Sequence, residues 1–205
     1  MIDSRDAILG AVRSALSRSQ AQPIPEPPPL ELAFDDPPLA DRIASFHAAL
    51  EKLGGKVYQA PDYAAARVQV DEIVAGRSTV CSQAPAVLAS GLSAWTGDLR
   101  EECSTADCGI TSAAYALADT GSLVLFATES EPRMISLLPP CHIAIVPVSK
   151  LLTGLNELFT RVPRPEEQSS AMVLITGPSR SADIEMILVR GVHGPGEIHV
   201  VFVAD

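Results

Sequence analysis

The chain's candidate chemistry lies in short polar segments set between apolar runs. The most suggestive is Gly177-Pro178-Ser179-Arg180-Ser181-Ala182-Asp183-Ile184-Glu185, which follows the apolar run from Met172 to Thr176. A strand, a tight glycine turn and a helix start in that order leave free backbone N–H groups and the positive end of a helix dipole at one place, where an anion is stabilised. Ser179 and Arg180 would stand beside it, and a planar guanidinium can hold a carboxylate or phosphate through two hydrogen bonds. The competing reading is local: Ser179 caps the helix and Arg180 pairs with Asp183 or Glu185. The spacing is neither GxxxxGK[ST] nor GxSxG, so it is not a P-loop or a nucleophile elbow.

Ala118-Asp119-Thr120-Gly121-Ser122 precedes another apolar run, and its small residues allow a backbone to approach a ligand closely. The plainer reading is a turn capped by Asp119. Arg133 and Lys150 are the only Lys or Arg residues between Cys103 and Thr160, so Arg133 either pairs with Glu129 and Glu131 or faces a bound anion. His193 lies in the glycine-rich stretch Gly191-Val192-His193-Gly194-Pro195-Gly196, an irregular segment of the kind that often carries sites. His142 reads as a structural or functional imidazole at a strand start, and His199 as a sheet-face residue. Cys81, Cys103, Cys108 and Cys141 have no ligand spacing and read as buried free thiols, so no metal is expected on this chain.

These segments need elements to position them. Leu39, Ile43, Phe46, Leu50 and Leu53 mark an amphipathic helix ended by Gly54 and Gly55. A strand over 56–60, a helix from Pro61 to Ala75 and a short strand over 79–82 follow, and then a less readable segment. From Gly121 the pattern predicts a strand over 122–127, a short helix over 133–138 and a strand over 142–146. Beyond these it predicts a helix with Leu151, Leu152, Leu155, Leu158 and Phe159 on one face, a strand over 172–176 and a last strand over 198–203. Strands alternating with helices, several apolar on both faces, predict an α/β fold: an open, mostly parallel sheet with helices on both faces.

Ahead of this body, residues 1–20 predict a helix capped by Asp3, with Ile8, Val12 and Leu16 on one narrow face. Residues 21–38 are proline-rich and predict a stiff extended linker, which leaves 39–205 as the main domain. The 205 residues can bury a core without metals or disulfides. With 47% hydrophobic and 20% charged residues the composition is globular, and a net charge of −10 argues against nucleic acid or an anionic membrane as partner. The opening residues carry charge and no apolar signal core. The uncharged run from Met134 to Ser149 is interrupted by Pro139, Pro140 and Pro147, so a cytoplasmic protein without a membrane span is expected.

ADTGSLVL at 118–125, RMISLLPPCHIAIVP at 133–147 and ITGPSRSADIEMILVRGVHGPGEIHVVFV at 175–203 resemble, in order and spacing, the LUD domain family of lactate utilization C proteins. The family's motif usually carries a glutamate where Asp119 stands. The resemblance implies a fold similar to the sugar-phosphate isomerase and CoA-transferase group. It also implies membership of a three-protein system that oxidises L-lactate to pyruvate, in which partner proteins carry iron-sulfur clusters and this chain carries none.

Two functions are compatible with this. In the first, the chain is an accessory subunit that holds a small carboxylate or phosphorylated ligand at the carboxyl ends of the strands, with Asp119, Thr120, Gly121, Arg133, Gly177, Ser179, Arg180 and His193 as the site residues. In the second, it is a non-catalytic assembly protein for the cluster-bearing subunits.

Overall fold

The computed structural model describes residues 4–17, 33–181 and 189–205. The chain divides into two compact units between Glu31 and Leu32. The first unit contributes α1 (Ser4–Ala15), with Asp6 in its first turn and none of its residues buried. Its expected cap, Asp3, and residues 21–32 of the expected linker lie outside the described residues.

The second unit begins with α2 (Leu39–Lys52), β1 (Lys56–Ala60), α3 (Tyr63–Val74) and β2 (Thr79–Cys81). Then come α4 (Pro85–Ala89), α5 (Leu99–Thr105), β3 (Cys108–Thr111), β4 (Tyr115–Leu117), β5 (Ser122–Phe126), α6 (Arg133–Leu137) and β6 (Cys141–Pro147). It closes with β7 (Leu151–Leu152), α7 (Leu155–Arg161), β8 (Met172–Ile175), β9 (Arg180–Ser181), β10 (Val189–Arg190) and β11 (Glu197–Val203). Asp62 caps α3 by accepting the Ala65 amide at 2.7 Å, and Ala75 ends it in the left-handed conformation.

The main sheet has the order β1-β11-β6-β3-β2, and every pair in it is parallel. Its three central strands, β11, β6 and β3, are buried on both faces, which is why they read as continuous apolar runs. One face packs Val201, Val203, Ile143, Ile145 and Ile110 against α3 and α4. The other packs Val200, Phe202, Ala144 and Val146 against Phe46 and Leu50 of α2, with Phe46 edge-on to Phe202 at 4.9 Å between ring centroids. Each large side chain buried in this way contributes about 1.5–3 kcal/mol.

The parallel sheet expected from the alternation is present, and a second sheet, β7-β4-β5-β8, adds to it on the α2 face. Two local expectations are corrected. Leu151 and Leu152 form β7, paired with Ala116 and Leu117, and the helix begins only at Leu155. Arg180 and Ser181 form β9, paired antiparallel with β10, so the turn after β8 leads first into a short strand, and residues 182–188, where the expected helix would continue, lie outside the described residues. Among the described residues, no helix is long and apolar enough to cross a membrane.

Close backbone approaches fix two glycines. A Cβ on Gly109 would stand 1.8 Å from the Ile135 carbonyl oxygen, because α6 lies directly on β3. Gly121 has φ +67°, and a Cβ there would meet the Leu50 amide nitrogen at 2.6 Å. Gly109→Ala is expected to destabilise the protein by at least about 2 kcal/mol, since backbone and not a flexible side chain must move. A urea midpoint unchanged from the wild type would show that α6 does not sit this close.

Candidate functional site

β4 and β7 run parallel and end together, and two more bonds extend their ladder: the Ala118 amide to the Leu152 carbonyl at 2.9 Å and the Asp119 amide to the Thr153 carbonyl at 3.0 Å. The chains then part. Gly154 lies so close to Asp119 that a Cβ on it would be 2.4 Å from Oδ2 of the carboxylate. The following turn is tied by Glu157, which accepts the Thr153 amide at 2.8 Å and Arg161 Nη2 at 2.7 Å. Burial pushes the Glu157 carboxyl up, but the Thr153 and Arg161 bonds outweigh it and hold it below the usual glutamate value.

A cleft of about 560 Å³ opens at these strand ends, lined by Arg42, Ser45, Asp119, Thr153 and Asn156, with Phe34 on its apolar side. Its volume is in the range of small-molecule sites. Arg42 reaches in from α2 and donates Nη1 to the Leu151 carbonyl at 3.1 Å. Its Nε is buried and has no hydrogen-bond partner among the described residues. A buried donor of this kind costs free energy until an acceptor reaches it, and a carboxylate or phosphate oxygen is such an acceptor. Asp119 is exposed and makes no ion pair among the described residues.

A second polar constellation stands at the carboxyl ends of β2 and β3. Glu131 Oε1 accepts the Ser112 amide at 2.5 Å and the Ser82 hydroxyl at 3.4 Å. The loop that carries it is clamped in place, because the Gln83 amide bonds the Ser130 carbonyl at 2.8 Å and the Glu131 amide bonds Thr128 Oγ1 at 3.0 Å. Burial raises the Glu131 carboxyl above the usual glutamate value, although both hydrogen bonds oppose the shift. A carboxyl perturbed in this way is suited to proton transfer. Deeper in the sheet, His142 is fully buried, with Nε2 2.8 Å from Thr111 Oγ1 and Nδ1 without a partner among the described residues. Burial, and then the neighbouring His199, pull its pKa down to about 3, so the ring is neutral.

The LUD domain profile matches residues 81–203. The chain belongs to the LUD domain family. It is similar to the Lactate utilization protein C of Halalkalibacterium halodurans, 43% identical over 111 residues, which are 52% of this chain and 48% of that one. The protein of the same name from Bacillus subtilis is 39% identical over 119 residues, 54% of this chain and 50% of that one. The chain therefore spans about half the length of these curated relatives. The crystal structure of a DUF162 family protein from Deinococcus radiodurans matches with TM-score 0.63 and 18% identity over 82% of this chain and 99% of that one, a likeness of fold.

The site residues expected from sequence fall in separate places on this LUD domain. Asp119 lines the 560 Å³ cleft. Thr120, Gly121, Gly177 and Arg180 gather instead around the end of α2. Gly121 lies under Leu50, Gly177 beside Leu53, and Arg180 Nη2 donates to the Leu53 carbonyl. A cation at a helix C-terminus is favoured by the dipole, so Arg180 here braces α2. Thr120 joins Ser122 and Thr176 in a chain of hydroxyls with links of 2.8 and 2.9 Å. The Ser179 amide bonds the Pro195 carbonyl at 2.8 Å, which lays the loop carrying exposed His193 against it. Asp183 and Glu185, the alternative partners for Arg180, lie outside the described residues. Arg133 is exposed and makes no ion pair with Glu129 or Glu131.

Arg42 and Glu131 are what the sequence reading missed. Arg42 flanks the apolar stripe of an amphipathic helix, a common place for a long cationic side chain, and so is not marked out by the pattern. Glu131 stood out only as a neighbour of Arg133.

The raised Glu131 carboxyl has a signed consequence. Its neutral form is favoured in the folded state, so the stabilisation it gives is full below the unfolded glutamate value and is lost as pH rises through the folded one. Between about pH 4 and pH 7 the wild type should therefore lose thermal stability relative to Glu131→Gln, which keeps an acceptor for the Ser112 amide. Parallel melting-temperature curves for the two proteins would sink this account of Glu131.

Proposed function

We propose that this chain serves lactate utilization as a cytoplasmic accessory subunit of an iron-sulfur-dependent system that oxidises L-lactate to pyruvate. In this reading, electron transfer falls to clusters on partner proteins. The chain itself holds a small carboxylate or phosphorylated ligand in the cleft at the carboxyl ends of β4 and β7. The family supports the system, since the relatives carry the name Lactate utilization protein C.

The unpartnered buried Nε of Arg42 carries the ligand reading. A guanidinium already anchored through Nη1 loses little freedom when an anion adds to Nε, and Asp119 can accept a hydrogen bond from a hydroxyl on the same ligand. Calorimetry on the full chain with L-lactate, pyruvate and inorganic phosphate is expected to show binding of at least one. Arg42→Ala should weaken it by roughly tenfold to a hundredfold, the worth of a hydrogen bond to a charged group. Absence of heat with all three, or an affinity that Arg42→Ala leaves unchanged, overturns the cleft as the site.

One observation favours the assembly reading. Ile8, Val12 and Leu16, one apolar stripe along α1 and just beyond it, are 63%, 48% and 57% exposed. Such a stripe fits a groove on a partner protein. Ile8→Asp with Val12→Asp should weaken co-purification with the cluster-bearing subunits while ligand binding persists. If association is untouched, α1 is not the docking element.

A further inference from the structure

The amino ends of the main sheet hold a second group of chemically active side chains, on the opposite side from the strand ends that carry Glu131. Spacing along the chain does not relate these residues; strand register does. Cys108 pairs with Cys141 across β3 and β6, and Cys141 pairs with Glu197 across β6 and β11. His199 lies two residues beyond Glu197, hence on the same face. Cys141 Sγ, a Glu197 carboxylate oxygen and a His199 ring nitrogen lie within 4.8 Å of one another. The β3–β6 register sets Cys108 directly beside Cys141.

We propose that Cys108, Cys141, Glu197 and His199 form a binding site for a zinc-class divalent cation. Two thiols, an imidazole and a carboxylate are a donor set for a borderline cation such as zinc, not for magnesium or calcium, which take oxygen ligands. Zinc–ligand distances of about 2.0–2.3 Å require neighbouring donors to come within roughly 3.3–3.8 Å, a contraction of about an ångström here. The flexible, half-exposed Glu197 side chain can supply much of it.

The surroundings match what such a site needs. Tyr58 Oη stands 3.3 Å from His199 Nδ1, and its ring stacks on the imidazole at 6.0 Å between centroids. That contact orients Nε2 toward Glu197 Oε2, 3.7 Å away, in the manner of the outer hydrogen bond that fixes a metal-ligating histidine. Burial, then the charge on Lys56, hold the imidazole below the ordinary histidine value, so it is neutral and open to a cation.

Arg77, anchored on the Val74 and Ile73 carbonyls, bonds Glu197 at 3.2 Å. The Cys141 hydrogen bond, helped by Arg77 and opposed by burial, holds the Cys108 thiol below its usual value, while Cys141 is pushed up. A thiol binds a cation as the thiolate, so cation binding at Cys108 and Cys141 releases protons to solvent. A cleft of about 260 Å³, lined by Lys56, Gly196, Glu197 and His199, provides the way in.

The test is a titration of the full chain with Co²⁺ under reducing conditions, followed by competition with Zn²⁺. The expected result is one equivalent bound with cobalt–thiolate charge-transfer absorption, together with proton release. Cys141→Ser and His199→Ala should each weaken binding at least tenfold, and Cys103→Ser, a buried thiol elsewhere, should leave it unchanged. Glu197→Gln, at the exposed edge, serves if the buried variants do not fold, and is expected to weaken binding severalfold. No thiolate absorption, or equal binding in Cys141→Ser, His199→Ala and Glu197→Gln, overturns the site. Equal loss in Cys103→Ser does so as well.

Discussion

The insertion of β11 between β1 and β6 is the interaction on which the rest of this molecule depends. Seven register pairs join it to β6 and five join it to β1, so the last strand of the chain completes a sheet begun at its other end. Its side chains alternate between two cores. Ile198, Val200 and Phe202 seal the face under α2, while Val201 and Val203 seal the face under α3 and α4. Without β11, β1 has no partner in the sheet and each core loses the strand at its centre. Parallel pairing over such sequence separations closes long loops before it gains contacts.

The same register sets what each end of the sheet can do. At the carboxyl ends, loops are free to depart, and they carry Ser82, Ser112 and Glu131 on the main sheet, with Asp119 and Gly154 on the second. The two sheets are bridged by α2. Its buried face meets the main sheet through Phe46, its end is held by Gly121 and Arg180, and the flank of its apolar face sends Arg42 to the cleft at the ends of β4 and β7. In a chain with a net charge of −10, an arginine whose Nε is buried and without a partner among the described residues is a local exception to the overall field. Arg180, with the same side chain, satisfies a helix terminus instead.

Much of the fold was legible because its signals are local. The strands over 56–60 and 198–203 and the helix from Leu39 rest on runs long enough for their periodicity to show. The segment after Ser82 was opaque, since β3 has four residues and β4 three, too few to display a period. Leu151 and Leu152 carry a spacing to Leu155 and Leu158 that fits a helix face, yet pairing with β4 draws them into a strand. Gly177, Pro178 and Ser179 form a fair helix-start signal, yet pairing with β10 draws Arg180 and Ser181 into a strand. Among the described residues the expected set is divided between two clefts, with Asp119 in one and Gly177 and Arg180 in another.

By itself the sequence determined the alternation of strands and helices and the apolar character of the inner strands. Those follow from backbone sterics and from hydrophobic period, both read within a few residues. Only the tertiary structure decided which distant residues meet. Glu131 over Ser112, Arg42 beside Asp119, and Cys141 between Cys108 and Glu197 are products of strand register and helix placement. Register is chosen by how whole faces bury against one another, and a shift of one residue would send every side chain to the opposite face. The chemistry of the molecule is therefore set by non-local packing, while its architecture is written largely in local pattern.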